Sequence, residues 1–236
     1  MKLKQIYNRL DSWRNYPSYQ LERHIDIFSF YLCEVLGEYY NTEISDHIIP
    51  EFPINQKLTK ITGRKGEYSD NIDFIVPGKD LSTIYFVELK TDMSSIREPQ
   101  VELMKTCNKL DFNTVLHGLI DISKATKEYS KYAFLLSQLE QIGFLKVPDE
   151  FWHLDFEGSP KGYQKAVRNI EVIDNSAKIQ SVFVQPIKTD CDVDVIDFMQ
   201  FSRIIRKTDP VFSKLLMNWT VPPGYRRTTT ARIHPY

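Results

Sequence analysis

Two short apolar runs, Asn71-Ile-Asp-Phe-Ile-Val-Pro77 and Ile84-Tyr-Phe-Val-Glu-Leu-Lys-Thr-Asp92, carry Asp73, Glu88 and Lys90 among residues that read as strands. A charge inside a buried strand is costly unless it is paired or does chemistry. Residues two apart on a strand share a face, so Glu88 and Lys90 project side by side while Val87 and Leu89 point to the opposite side. Asp73 on the neighbouring strand would complete a cluster. Two carboxylates brought together repel one another, and a divalent cation relieves that repulsion. Asp73, Glu88 and the backbone carbonyl of Leu89 would offer oxygen ligands to Mg²⁺ or Mn²⁺, leaving positions for water and a substrate phosphate. Lys90 beside the attacking water would lower its pKa or stabilise charge developing on phosphorus. The chemistry implied is phosphodiester hydrolysis; the competing reading of the three residues is a salt-bridged strand pair on a solvated face.

The elements that must position these residues are legible in outline. Leu21, Ile25, Phe28, Leu32, Val35 and Leu36 recur at helical spacing and predict a helix over about residues 19–40. On that helix Glu22 falls on the shoulder of the apolar stripe, where it could reach the site, and Glu34 faces solvent. The aromatics Phe28, Phe30, Tyr31, Tyr39 and Tyr40 are expected to pack this helix onto the sheet. Pro50 and Pro53 punctuate a loop, and residues 57–62 form a strand candidate. Pro77-Gly-Lys-Asp-Leu-Ser82 is a turn composition that makes an antiparallel hairpin of the strands at about 71–76 and 84–90. Pro99 suits the first turn of a helical region that continues with interruptions to about Gln141, closed by Gly143. A further strand spans 179–187, with 170–173 as its weaker partner, and helical patterning resumes at about 195–206 and 209–218.

The pattern Asp73-x14-Glu88-x-Lys90 resembles the hallmark of the PD-(D/E)XK nuclease superfamily, the restriction-endonuclease-like fold. There, a hairpin carries the first Asp and the Glu-x-Lys, and a preceding helix often adds an acidic residue, which Glu22 would match. Val87-Glu-Leu-Lys-Thr91 is similar to the form found in recombination-type exonucleases, which often place a Gln on the next helix, as Gln100 would be. Asn71-Ile72 stands where the family name has Pro, and Met104 stands where the exonuclease branch commonly has Tyr. The resemblance covers about residues 19–110. It implies an α/β fold with a central mixed sheet flanked by helices, Mg²⁺ or Mn²⁺ as cofactor, and DNA in preference to RNA as substrate. It also leaves open a nuclease-fold module without catalysis that binds or scaffolds a nucleic acid or protein partner.

Composition narrows the alternatives. With 236 residues, 42% of them hydrophobic, the chain can build a core without disulfides or metal, and it is read as one domain with its core at about 19–190 and a basic helical extension at 195–236. No apolar run approaches ~18 residues and the start lacks a secretory signal, so a cytoplasmic protein with no membrane partner is expected. Cys33, Cys107 and Cys191 have no pairing pattern and read as reduced thiols. The five histidines lack ligand spacing, and neither a serine-hydrolase elbow nor a P-loop is present. The net charge of −1 hides an asymmetry: residues 201–236 hold seven cations against Asp209, or +6, leaving −7 elsewhere. Arg226 and Arg227 in that segment, with Trp219 and Tyr225 available to pack against sugars or bases, and Arg64 and Lys65 in the turn Gly63–Gly66, otherwise an ordinary surface turn, are the candidate phosphate contacts. A charged, solvated helix end and tail is the competing reading of the basic segment; a third is that the carboxylate pair is structural and the segment docks an acidic protein. A homodimer or larger complex would suit cutting both strands of a duplex.

Overall fold

The computed structural model describes residues 26–60, 69–156, 158–174 and 176–220. Of the helix expected over about 19–40, residues 19–25 lie outside the described residues, Asp26–Tyr31 is a 3₁₀ turn, and helix α1 spans Leu32–Tyr40. Its phase is the expected one, with Leu32, Val35 and Leu36 buried and Glu34 exposed. Then follow β1 (Ile49–Asn55), β2 (Ser69–Pro77), β3 (Thr83–Leu89), α2 (Glu98–Cys107), α3 (Phe112–Ala125) and α4 (Tyr129–Ile142). The remainder comprises β4 (Leu145–Lys146), α5 (Pro160–Val167), β5 (Glu171–Val172), β6 (Lys178–Gln185), β7 (Asp194–Asp197), α6 (Phe198–Ile205) and α7 (Pro210–Trp219).

The central sheet is mixed, in the order β1-β2-β3-β6-β7. The first three strands form an antiparallel meander, and β6 and β7 run parallel to β3. A parallel return needs a long crossover, supplied here by α2–α5. One face of the sheet buries Ile75, Ile84, Phe86 and Phe183 with Met104, Leu116 and Leu136 of those helices. The other buries Tyr85, Val87 and Val184 with Leu36 of α1, Phe201 of α6 and Leu216 of α7. β3 and β6 alternate between two apolar layers, which is why they read as continuous apolar runs rather than half-polar ones. Among the described residues no helix is long and apolar enough to cross a membrane.

Several expectations are corrected. The proline-bearing segment expected to be a loop is the edge strand β1, where a proline nitrogen can face away from the partner strand. Of the strand expected at 57–62, residues 61 and 62 lie outside the described residues, and its start belongs to a single helical turn, Gln56–Thr59, which the Asn55 side chain caps by accepting from the Lys57 N–H at 3.0 Å. Residues 170–173 do not pair with β6, whose edges are taken by β3 and β7; Glu171–Val172 pairs with β4 in a separate two-stranded sheet. The helix expected from about 195 begins at Phe198, after β7. Asp197 starts it with a capping box, accepting from the Gln200 N–H at 2.7 Å while Gln200 Oε1 accepts from the Asp197 N–H. Phe30 does not pack onto the sheet and is 56% exposed. The break at Gly143 is as expected, with the glycine at φ 98 closing α4.

Cys33, Cys107 and Cys191 are free thiols, and only Cys107 is fully buried. Trp219, expected to meet sugars or bases, is instead 1% exposed within the α1–α6–α7 layer. Its removal by Trp219→Ala should therefore cost about 3–5 kcal/mol, read as a lowered urea midpoint. Burial pushes the Cys107 thiol up to about 12, and burial with the Asp209 hydrogen bond does the same to the Tyr31 phenol. Both groups have raised folded pKa values, so their contribution is intact below their ordinary values of 9.0 and 10.0 and is lost as pH climbs toward about 12. Denaturation at pH 8 and pH 11 should show a lower midpoint at the higher pH, with part of the loss removed in Cys107→Ala.

Candidate active site

The β2–β3 ladder runs from Pro77 opposite Ile84 to Phe74 opposite Val87 and stops there. One step further stand Asp73 and Glu88. In place of another backbone pair, Asp73 Oδ2 accepts the Leu89 N–H at 2.7 Å, so a carboxylate takes over the role of a ladder carbonyl where the strands part.

The cause of that divergence lies on the other side of β2. β1 pairs Pro50 with Phe74 and Phe52 with Ile72, skipping Glu51 and Asp73, and Glu51 adopts φ 52. A non-glycine residue held in this left-handed region costs roughly 1–2 kcal/mol. Its effect is visible in the packing. Ile72 and Ile75, three residues apart, enter the same core layer, as do Ile49 and Phe52. Regular alternation would send the members of each pair to opposite faces. The strands thus change face at the Glu51–Asp73 step, and the Asp73 carboxylate reaches the gap beside β3.

Glu88 and Lys90 behave as their spacing demands. Glu88 continues the face of Ile84 and Phe86, and Leu89 packs against the opposite layer with Val87. Glu88 is 3% and Lys90 5% exposed. Lys90 Nζ lies 2.8 Å from Glu88 Oε1. The Gln100 amide on α2 donates to the same oxygen at 2.8 Å. The Lys90 N–H donates to the Val184 carbonyl at 2.8 Å, which fixes the lysine backbone against β6. Pro99 in the first turn of α2 sets the helix entry and so the position of Gln100. The Gln100 amide oxygen is buried and has no hydrogen-bond partner among the described residues. Turning the amide over would set that oxygen against the Glu88 carboxylate, so the orphaned acceptor is fixed by the charge it faces.

A buried ion pair of this kind gains little net stability over apolar side chains, and removing one partner alone costs about 3–5 kcal/mol. Asp73, Glu88, Leu89, Lys90 and Gln100, separated by up to twenty-seven positions in the sequence, are brought together at the end of the β2–β3 hairpin. Glu22, Arg64, Lys65, Tyr225, Arg226 and Arg227 lie outside the described residues. Among the described residues no group of three or more His, Cys, Asp or Glu side chains is placed to hold a metal ion. The donors at hand are two carboxylates and a backbone carbonyl. An all-oxygen set of that size suits a hard cation that keeps several waters, and the orphaned Gln100 oxygen could accept from one of them. Glu51 was not foreseen. Nothing in Pro50-Glu-Phe-Pro53 announces a left-handed residue, since neither Gly nor Asn occupies the position.

Asp73→Ala should strand the Leu89 N–H, costing about 1–3 kcal/mol and accelerating hydrogen exchange at that amide. Glu51→Gly should be neutral to stabilising by about 1 kcal/mol, measured by chemical denaturation, because glycine adopts the same backbone without strain. Comparison with protein-family models, with curated proteins and with solved structures finds no match to this chain.

Proposed function

We propose that this chain is a metal-dependent nuclease with a restriction-endonuclease-like core that hydrolyses phosphodiester bonds, DNA in preference to RNA. The observation that carries the reading is the buried contact of Lys90 with Glu88 at 2.8 Å, joined by Gln100, beside Asp73 where β2 and β3 part. A lysine and a carboxylate held in this way inside an apolar sheet stabilise the fold no better than two leucines would, so the pair calls for another use. The surrounding elements agree with the resemblance read from the sequence. One hairpin carries Asp73, Glu88 and Lys90, a helix precedes it on one face, and the helix bearing Gln100 follows on the other.

Asp73, Glu88 and the Leu89 carbonyl would hold Mg²⁺ or Mn²⁺, which when bound supplies Lewis-acid stabilisation and a water of lowered pKa. The chain's own residues do the positioning. Gln100 orients the Glu88 carboxylate through Oε1. Lys90 brings a positive charge to the same oxygen, poised to stabilise negative charge that develops on a phosphate entering the site. Asp73, tied to the Leu89 N–H, fixes the separation of the two strands.

A second reading, a nuclease-fold module that binds without cutting, is favoured by one observation. Only two carboxylates are assembled among the described residues, and Glu88 is already engaged by Lys90 and Gln100.

Digestion of linear, circular and single-stranded DNA with Mg²⁺, Mn²⁺ or EDTA tests the proposal. Metal-dependent cleavage should fall by roughly 10²-fold or more in Lys90→Ala. That variant also leaves Glu88 buried without its cation and should lose about 3–5 kcal/mol of stability. Glu88→Gln/Lys90→Met, which removes both charges, should recover most of that stability and stay inactive. Cleavage surviving in a folded double variant would rule the site out, and metal binding without cleavage by the unaltered protein would favour the binding module.

A further inference from the structure

Behind the candidate site, on the opposite face of the sheet, a small apolar cavity of about 20 Å³ is lined by Leu89 of β3, Leu32 of α1, Phe198 of α6 and Leu216 of α7, with Ser29 at its edge. Leu89 is the residue between Glu88 and Lys90, so only the thickness of one strand separates this cavity from the carboxylates. Three lining residues are each followed by a large apolar side chain that faces solvent. Phe30 is 56%, Met199 42% and Met217 51% exposed. The Phe30 ring sits against Tyr31 with centroids 4.1 Å apart, and Tyr31 stacks on Phe212 of α7 at 5.6 Å, which anchors an exposed aromatic on a packed base.

Of the helices around this cavity α6 and α7 are basic, whereas α1 carries Glu34 and Glu38, and Glu34 accepts from the Thr208 hydroxyl at 2.8 Å. The exposed positions of residues 198–219 include Arg203, Arg206, Lys207 and Lys214 and no carboxylate. Asp209, part-buried, is used by the Tyr31 hydroxyl and by the Val211 and Phe212 N–H groups. Arg203 reaches back over Met199, with Nη2 at 3.2 Å from the sulfur, and Lys214 lies one turn before Met217. Cations and apolar side chains therefore alternate on one surface, in a chain whose net charge is −1. A polyanion with flat apolar groups between its charges complements that surface.

We infer that the exposed surface of α6 and α7, with Phe30, binds single-stranded nucleic acid, the cations following its phosphates and Phe30 stacking on an unpaired base. This rests on the proposed function for its connection to the site. The connection is one of proximity: Leu89, between Glu88 and Lys90, lines the cavity beneath α6 and α7. A duplex keeps its bases stacked on one another and cannot offer one to Phe30, so the surface selects single strands or frayed ends.

The test is fluorescence anisotropy of the full chain in EDTA, with a labelled oligothymidylate and a duplex of equal length, across a salt series. The protein should prefer the single strand. Arg203→Ala/Lys214→Ala should weaken binding about tenfold and lower the salt slope by about 1.4, at about 0.7 per lost phosphate contact. Phe30→Ala should weaken single-strand binding about tenfold with the slope unchanged. All these side chains are exposed, and unchanged melting temperatures confirm folding. Equal binding by wild type and variants overturns the inference. So does binding that appears only with anionic phosphatidylserine vesicles, or a dimer in sedimentation velocity that the variants abolish. Metal-dependent cleavage combined with single-strand binding that the variants leave unchanged overturns the inference and leaves the nuclease reading standing. The predicted binding without cleavage does the reverse.

Discussion

An ammonium and a carboxylate taken out of water must be held by each other and by further hydrogen bonds, or the fold that buries them fails. Glu88 and Lys90 impose that condition on the whole centre of this protein. β3 must end where its polar residues begin, β6 must lie alongside to accept the Lys90 N–H at Val184, and α2 must start close enough for Gln100 to reach Glu88. The two apolar layers on either side of the sheet supply the stability that this polar centre does not. They are also what removes water from it, and a charge kept from water acts more strongly on whatever enters beside it.

The second constraint is geometric. Strands joined by a full ladder leave no opening, and here the ladder stops at Phe74 and Val87. The strained backbone of Glu51 and the carboxylate of Asp73 divide that task. The first lets β1 and β2 change face together, and the second satisfies the Leu89 N–H that the broken ladder would leave unpaired. Local strain is thereby offset by a hydrogen bond and placed beside Glu88 and Lys90, the residues proposed to carry the chemistry. On the reverse face, Leu89 packs into the apolar layer beneath α6 and α7, so a single residue of β3 touches both that layer and the strand end that carries Glu88 and Lys90.

Much of this arrangement was legible in the sequence because it follows from periodicity. The two-residue repeat of a strand placed Glu88 and Lys90 on one face and Val87 and Leu89 on the other, the turn at Pro77–Ser82 made the hairpin, and the helical stripe at Leu32, Val35 and Leu36 gave α1 its buried side. The placement of Gln100 beside Glu88 follows from a resemblance rather than a spacing. What the sequence could not decide were matters of partnership. Whether Pro50 and Pro53 interrupt a loop or ride on a strand depends on that strand lying at the sheet edge. Whether residues 170–173 pair with β6 depends on which strands already flank β6. Whether Trp219 meets a ligand or a core depends on how α7 folds back over α1 and α6. Local pattern determines which side of an element is apolar, since that needs only the backbone repeat. Only tertiary packing decides which apolar side meets which, where a ladder ends and which residue absorbs the strain, because those are set by contacts between segments far apart in the chain.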